Sequence, residues 1–228
     1  MFRAALLAVV IASASAAHAD GGTFRTMRVD GDLPVFVLPG EADARGVVIY
    51  LHGHCGDALA PMKTFPEALR ARATLLSVQA DVPCAGKPGR FHWTADLDAI
   101  ERRIDAAVAR AASERGESFD PATRVLVGYS EGALRAEALA KRFPAVYPRV
   151  LLGASPVTPK AASFSGARAV ATLIGEHDVQ GPMREGTEAL AKAGVPTRLF
   201  VLPGVGHGRY GAEAPRVMRE AFEWMFAQ

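Results

Sequence analysis

Cysteine is scarce in this chain: the 228 residues contain two. That excludes a small disulfide-stapled scaffold, which is shorter and much richer in cysteine. Neither sign of charge dominates, with 26 Lys and Arg against 24 Asp and Glu. The basic excess that marks nucleic-acid binding is therefore missing, and no nucleic-acid partner is expected. No apolar run reaches the roughly 20 residues that span a bilayer, so no membrane span is expected. Disorder is excluded too, because 50% of the residues are hydrophobic and the net charge is only +2. What remains is one large domain or two small ones. At this size a domain buries roughly 70–75% of the surface its unfolded chain exposes, and it needs no metal to fold.

The first 19 residues stand apart. Met1 to Arg3 is a short positive start, Ala4 to Ala14 is an apolar run, and the segment ends at Ala17-His18-Ala19. This is the three-part pattern of a secretory signal peptide. Residues 1–19 are thus expected to be removed after Ala19, leaving residues 20–228 as one exported domain, periplasmic or secreted.

Along that domain, short apolar runs alternate with helical patterns. The runs are Val47 to Leu51, Thr74 to Val78, Val125 to Val127, Val150 to Leu152, Ala169 to Ile174 and Leu199 to Leu202. Unbroken apolar runs of this length suit strands covered on both faces, as in a parallel sheet. Between them, Leu97, Ile100, Ile104 and Val108 recur every three or four residues and line one face of a helix. Leu134, Ala138 and Leu139 do the same before Pro144, and Met218, Phe222 and Met225 give a last helix its stripe. Thr23 to Leu38 reads as two edge strands turning at Asp30-Gly31. The pattern predicts an α/β domain around a mainly parallel central sheet, without linker, repeat or low-complexity tract.

Gly128-Tyr129-Ser130-Glu131-Gly132 carries the strongest chemical signal. A Gly-x-Ser-x-Gly match alone is weak. Here it follows the strand Val125 to Val127 directly and opens a helix, the setting a nucleophile elbow requires. The turn strains the serine and presents it at a helix N-terminus, where backbone N–H groups stabilise an oxyanion. In elbow enzymes the chain order is Ser, then Asp or Glu, then His. Between Ser130 and the last histidine the only aspartate is Asp178, and after Asp178 the only histidine is His207. All three follow strands, at the sheet edge where open α/β folds place their sites. Ser130, Asp178 and His207 are the expected catalytic residues, with Glu176 as a rival acid. The expected oxyanion donors are the N–H groups of Glu131 and His54, with Cys55 second to His54.

His52 and His54 form a His-x-His pair, but the sequence offers no third ligand, so no metal is expected. Gly206, Gly208 and Gly211 fit a Gly-x-Gly-x-x-Gly spacing. A dinucleotide site also needs a following strand with an acidic residue about 20 positions on. The sequence ends at Gln228, so no cofactor is expected.

On His52-Gly53, the serine pentapeptide, Gly175-Glu176-His177-Asp178 and Gly206-His207-Gly208, the chain resembles the α/β-hydrolase superfamily. It looks most like small dienelactone-hydrolase and carboxylesterase members, over essentially Gly46 to Gln228. The resemblance implies helices on both faces of the sheet and ester hydrolysis. Only about a dozen residues separate the strands between which many relatives insert a cap, so no large cap domain is expected. In the resembled fold the strands before Cys55 and Cys84 are neighbours, which implies one disulfide between them in an exported protein. Without a cap, the Pro83 to Trp93 loop is the expected wall of the substrate site, and Trp93 and Phe91 read equally as its apolar contacts or as core. The expected reaction is cleavage of a small-molecule carboxylic ester through an acyl-enzyme. The alternatives are amide or peptide hydrolysis by the same groups, or a non-catalytic binding protein on the same fold.

Overall fold

The computed structural model describes residues 24–65 and 67–228. The export segment expected at residues 1–19 lies outside them. Strands β1 (Arg25–Met27) and β2 (Val35–Leu38) form the expected antiparallel edge, turning through Asp30 and Gly31. Strands β3 (Gly46–Leu51), β4 (Ala73–Val78), β7 (Val125–Tyr129), β8 (Arg149–Gly153) and β9 (Ala169–Gly175) are buried along their whole length. That double-sided burial is why their sequences read as unbroken apolar runs. Strand β10 (Thr197–Leu202) is only half-buried, as an edge strand is.

These eight strands form one sheet in the order β1-β2-β4-β3-β7-β8-β9-β10, parallel from β4 to β10. Helix α1 (Leu97–Arg115) packs on β4 and on α2 (Glu131–Arg142), which in turn covers β3, β7 and β8. Helices α3 (Gly181–Lys192) and α4 (Ala214–Phe226) both pack on β9 and β10. Helix α4 also meets the two 3-10 turns that link β3 to β4, whereas α3 meets the 3-10 turn before β9 that touches α2. The helices thus form two layers, one on each side of the sheet. The β8–β9 connection holds a single short 3-10 turn, Ala161–Phe164, and no cap domain.

Two local expectations change, and one helix is added. Helix α2 turns Ala133, Ala136, Leu139 and Ala140 to the core, not Leu134 and Ala138, which are half-buried. Small residues win that face because the helix lies very close to the sheet beside the elbow. Helix α3, with Met183, Gly186 and Leu190 buried, carries too few large apolar residues to announce itself. The Pro83 to Trp93 segment is not a plain loop: β5 (Val82–Pro83) and β6 (Phe91–His92) pair as a small hairpin.

Candidate active site

Ser130 sits between β7 and α2 with φ of 54° and ψ of −116°, a conformation that L-residues avoid. Its turn closes only because both flanking positions are glycine. A Cβ on Gly128 would lie 2.2 Å from the Gly132 carbonyl oxygen, and one on Gly132 would lie 2.1 Å from that of Leu51. Cys55 and Ala154 also have positive φ, 48° and 46°. Among the described residues these are the three non-glycine cases, and all follow the carboxyl ends of β3, β7 and β8. Backbone strain is therefore concentrated at this one edge, as it is at functional sites.

The loops after β9 and β10 bring Asp178 and His207 to the same edge. His207 Nε2 lies 3.0 Å from Ser130 Oγ, and His207 Nδ1 lies 2.9 Å from Asp178 Oδ2. An ionised carboxylate only accepts, so Nδ1 carries the ring proton and Nε2 is left to accept from the serine hydroxyl. The Asp178 side chain is 7% exposed and its second oxygen accepts the Val179 N–H at 2.7 Å. The His207 side chain, in contrast, is 50% exposed, so the site is open. Two contacts fix the His207 loop: the Gly208 N–H donates to the Tyr129 hydroxyl, and the His177 N–H donates to the Val205 carbonyl. Glu176, the rival acid in the sequence, accepts the Gly204 N–H at 2.8 Å and holds the turn before His207 instead.

On the other side of Ser130 stands the loop after β3. An ideal Cβ on Gly53 would lie 3.2 Å from the Ser130 Cβ, so the loop backbone reaches the nucleophile closely. Buried His52 anchors it. Its Nδ1–H donates to the Gly53 carbonyl, while Nε2 accepts from the Ala80 N–H and the Gln79 amide. Burial lowers its pKa, in keeping with a neutral ring wired on both nitrogens. The Trp93 indole N–H donates to the His52 carbonyl at 2.7 Å. Among the described residues the N–H groups of His54, Cys55 and Glu131 donate to no partner. That of Glu131 is the first of helix α2, where no intrahelical acceptor exists.

Of its two readings Trp93 takes the core one: it is 2% exposed and is not an apolar wall of the cleft. Its indole needs a partner for its N–H, and the buried His52 carbonyl supplies one. Phe91 is half-buried in the hairpin, where its N–H donates to the Gly56 carbonyl, and it also stays out of the cleft. The residue that enters from this segment is Arg90, ion-paired with Asp57. The hairpin is tied to the β3 loop by a Cys55–Cys84 disulfide with the Cα atoms 5.8 Å apart.

Two hollows meet at His207. One of about 240 Å³ holds Ser130, His54, Arg90, Tyr50 and Tyr210. The other, about 310 Å³, is more apolar and is formed by Ala154, Pro156, Ile174, Val179 and Pro182. Tyr50 and Tyr210 share a 2.7 Å hydrogen bond, and burial raises both pKa values, so neither phenol serves as a base near neutral pH. Another hollow, about 510 Å³, lies elsewhere, by Arg25, Thr74 and Arg115, and is lined by no histidine. Sequence reasoning also missed a donor cluster: His54, His92 and Glu131 place their ligand atoms within 4.8 Å of one another. The signal was present in each residue, but His92 is 38 positions from His54 and only the hairpin joins them.

No family model matches this sequence, and no curated protein matches it. Solved structures do resemble it. A dienelactone hydrolase from Anabaena variabilis gives a TM-score of 0.65 at 17% identity, over 90% of this chain and 98% of the other. A Bacillus cereus carboxylesterase gives 0.58 at 21% identity, over 85% and 93%. A carboxylesterase from Mesorhizobium loti gives 0.59 at 18%, over 87% and 98%. Together with the sheet order and the two helix layers, these likenesses establish that the chain has the α/β-hydrolase fold.

Proposed function

We propose that the protein is a serine hydrolase that cleaves a small carboxylic ester through an acyl-enzyme. The observation that carries this is the continuous chain from Ser130 Oγ to His207 Nε2 and from His207 Nδ1 to Asp178, built on a strained serine. Fold likeness to carboxylesterases supports the reaction class. Ser130 Oγ attacks the ester carbonyl as its proton passes to His207 Nε2. Asp178 keeps the Nδ1–H tautomer and steadies the imidazolium. The carbonyl oxygen, now negative, is held by the N–H groups of His54 and Glu131, worth roughly 3–4 kcal/mol each in such sites. Collapse breaks the C–O bond, and the alcohol leaves with the proton from His207. Water then gives its proton to His207, attacks the acyl-Ser130 carbonyl and releases the acid as the proton returns to Ser130.

The N-terminal pattern and the Cys55–Cys84 bond both support export of the mature protein to an oxidising compartment. No described helix is long and apolar enough to cross a membrane. A fluorophosphonate probe tests the reading, because it phosphonylates only an activated serine. Wild-type protein labels with one probe per chain, and Ser130→Ala does not label. Folded wild type that stays unlabelled ends the claim.

A further inference from the structure

His54, His92 and Glu131 belong to three separate segments: the β3 loop, strand β6 and the first turn of α2. The disulfide and the Gly56–Phe91 bridge bring the first two segments together, and Gly53 brings the loop against the elbow. One result is that two imidazoles and a carboxylate point into one small space, with every pair of ligand atoms within 4.8 Å. The His54 and His92 rings have centroids 5.2 Å apart. We propose that this cluster is a binding site for a divalent transition ion of the Zn²⁺ class, independent of the hydrolase reading.

Donor chemistry selects the ion. Two nitrogens and one oxygen suit Zn²⁺, whereas Mg²⁺ and Ca²⁺ require oxygen sets. The spacing suits it as well. Tetrahedral coordination with bonds of about 2.0–2.1 Å places neighbouring donors roughly 3.3 Å apart. His54 Nδ1 and Glu131 Oε2 already stand at 3.3 Å. The remaining closure falls to side chains with room to turn: His54 is 63% exposed and His92 half-buried. Glu131 is the fixed member, 16% exposed. Its Oε2 faces the Trp93 N–H at 3.4 Å and its Oε1 faces Arg135 at 3.9 Å, contacts that orient the carboxylate from behind. Solvent supplies the fourth ligand on the exposed side. The Cys55 and Cys84 sulfurs lie beside His54 but are bonded to each other, so they offer no thiolate. The nearby Arg90 guanidinium is engaged by Asp57, and Arg135 is the cation that stays beside Glu131, on its Oε1 side.

Isothermal titration of tag-free, chelator-treated protein with ZnCl₂ tests the site, and Co²⁺ replaces Zn²⁺ for a visible spectrum. One equivalent of Zn²⁺ is expected to bind at micromolar or tighter concentration, with Co²⁺ showing the intense bands of a four-coordinate ion. His92→Ala, whose side chain lies outside the Ser130–His207–Asp178 chain, should weaken binding at least about tenfold, the scale of losing one metal partner. Its fold is checked by circular dichroism, and Glu131→Gln serves as a second variant with the same expectation. No binding up to about 100 µM free Zn²⁺ overturns the proposal. So does equal affinity in wild type and both variants, or binding that is lost in His207→Ala but kept in His92→Ala.

Discussion

Removing the Cys55–Cys84 bond separates the contribution of the covalent tie from that of the contacts around it. The bridged residues are 29 positions apart. Freeing a loop of that length adds chain entropy to the unfolded state worth about 3.6 kcal/mol. For a domain of this size each kcal/mol shifts the midpoint by about 2–4 °C, so Cys55→Ala/Cys84→Ala should melt roughly 7–14 °C lower. The folded state keeps other ties between the same segments: the Phe91 N–H to the Gly56 carbonyl, the Arg90–Asp57 ion pair and the Trp93 indole on the His52 carbonyl. The loss therefore falls on the unfolded side, and the loop geometry beside Ser130 persists. Ester hydrolysis at 25 °C should stay within about fivefold of wild type, about 1 kcal/mol of barrier and far less than one oxyanion donor supplies. Calorimetry gives the first quantity and p-nitrophenyl acetate turnover the second, with thiol titration of unfolded protein confirming the bond in wild type. A midpoint change below 3 °C would refute the entropic argument. A hundredfold loss of turnover well below the melting point would show that the disulfide alone positions the loop.

The two acids near His207 should separate cleanly. Asp178→Asn is expected to lower kcat by about 10⁴-fold by favouring the wrong imidazole tautomer, while Glu176→Gln, which only loses charge on a backbone N–H, should stay within about fivefold. Equal losses in both would place the acid wrongly. Gly132→Ala puts a Cβ 2.1 Å from the Leu51 carbonyl oxygen, so it should cost about 1–3 kcal/mol or more in urea unfolding and most of the turnover. Wild-type stability in that variant would mean that α2 and β3 pack less closely than this contact requires. His52 predicts a pH dependence. Its folded pKa is lowered below the ordinary value of 6.5 by burial, so the unfolded chain takes up the proton first as pH falls. The stability tied to its neutral form is complete above about pH 6.5 and declines below it toward the depressed folded value. Urea midpoints between pH 7.5 and 5.5 should therefore fall more steeply in wild type than in His52→Gln, and parallel slopes would contradict this.

Much of the fold could be read from the sequence because of how the sheet is covered. Strands β3, β4, β7, β8 and β9 are buried on both faces, and burial of that kind writes itself as an unbroken apolar run. The meeting of Ser130, Asp178 and His207 was readable for a different reason: chain order left one aspartate and one histidine to choose. What stayed hidden depends on contacts without periodicity. Two-residue strands such as β5 and β6 have no pattern to detect, so the hairpin that carries Arg90 into the cleft and His92 to His54 was invisible. Trp93 illustrates the same limit, since an indole after a loop reads equally as wall or core until its N–H finds a buried carbonyl. Glu176 and Asp178 both follow β9, and only the positions of Gly204 and His207 distinguish a loop staple from a partner of the imidazole.

The two sides of Ser130 are held with unequal firmness, and the proposed chemistry accounts for the difference. Hydrogen-bond donors for an oxyanion act through being in place before charge develops, so any freedom in them raises the barrier. The β3 loop that would supply one donor is fixed by a buried, doubly bonded His52 ring, by Trp93 and by a disulfide. Helix α2, which would supply the other, cannot shift without driving Gly132 into the Leu51 carbonyl. In the proposed mechanism His207 acts differently, because it would pass a proton from serine to leaving alcohol and then accept one from water. Half-exposed, hinged beside Gly206 and Gly208 and restrained chiefly through Asp178 and the Tyr129 contact, it can meet both the substrate and the incoming water. Exposure of the base also follows from the missing cap, because no element between β8 and β9 is long enough to cover it. Turnover in such an open site should show little lag with soluble esters, and a lag lasting minutes would point to a cover over His207 that the described β8–β9 connection does not provide.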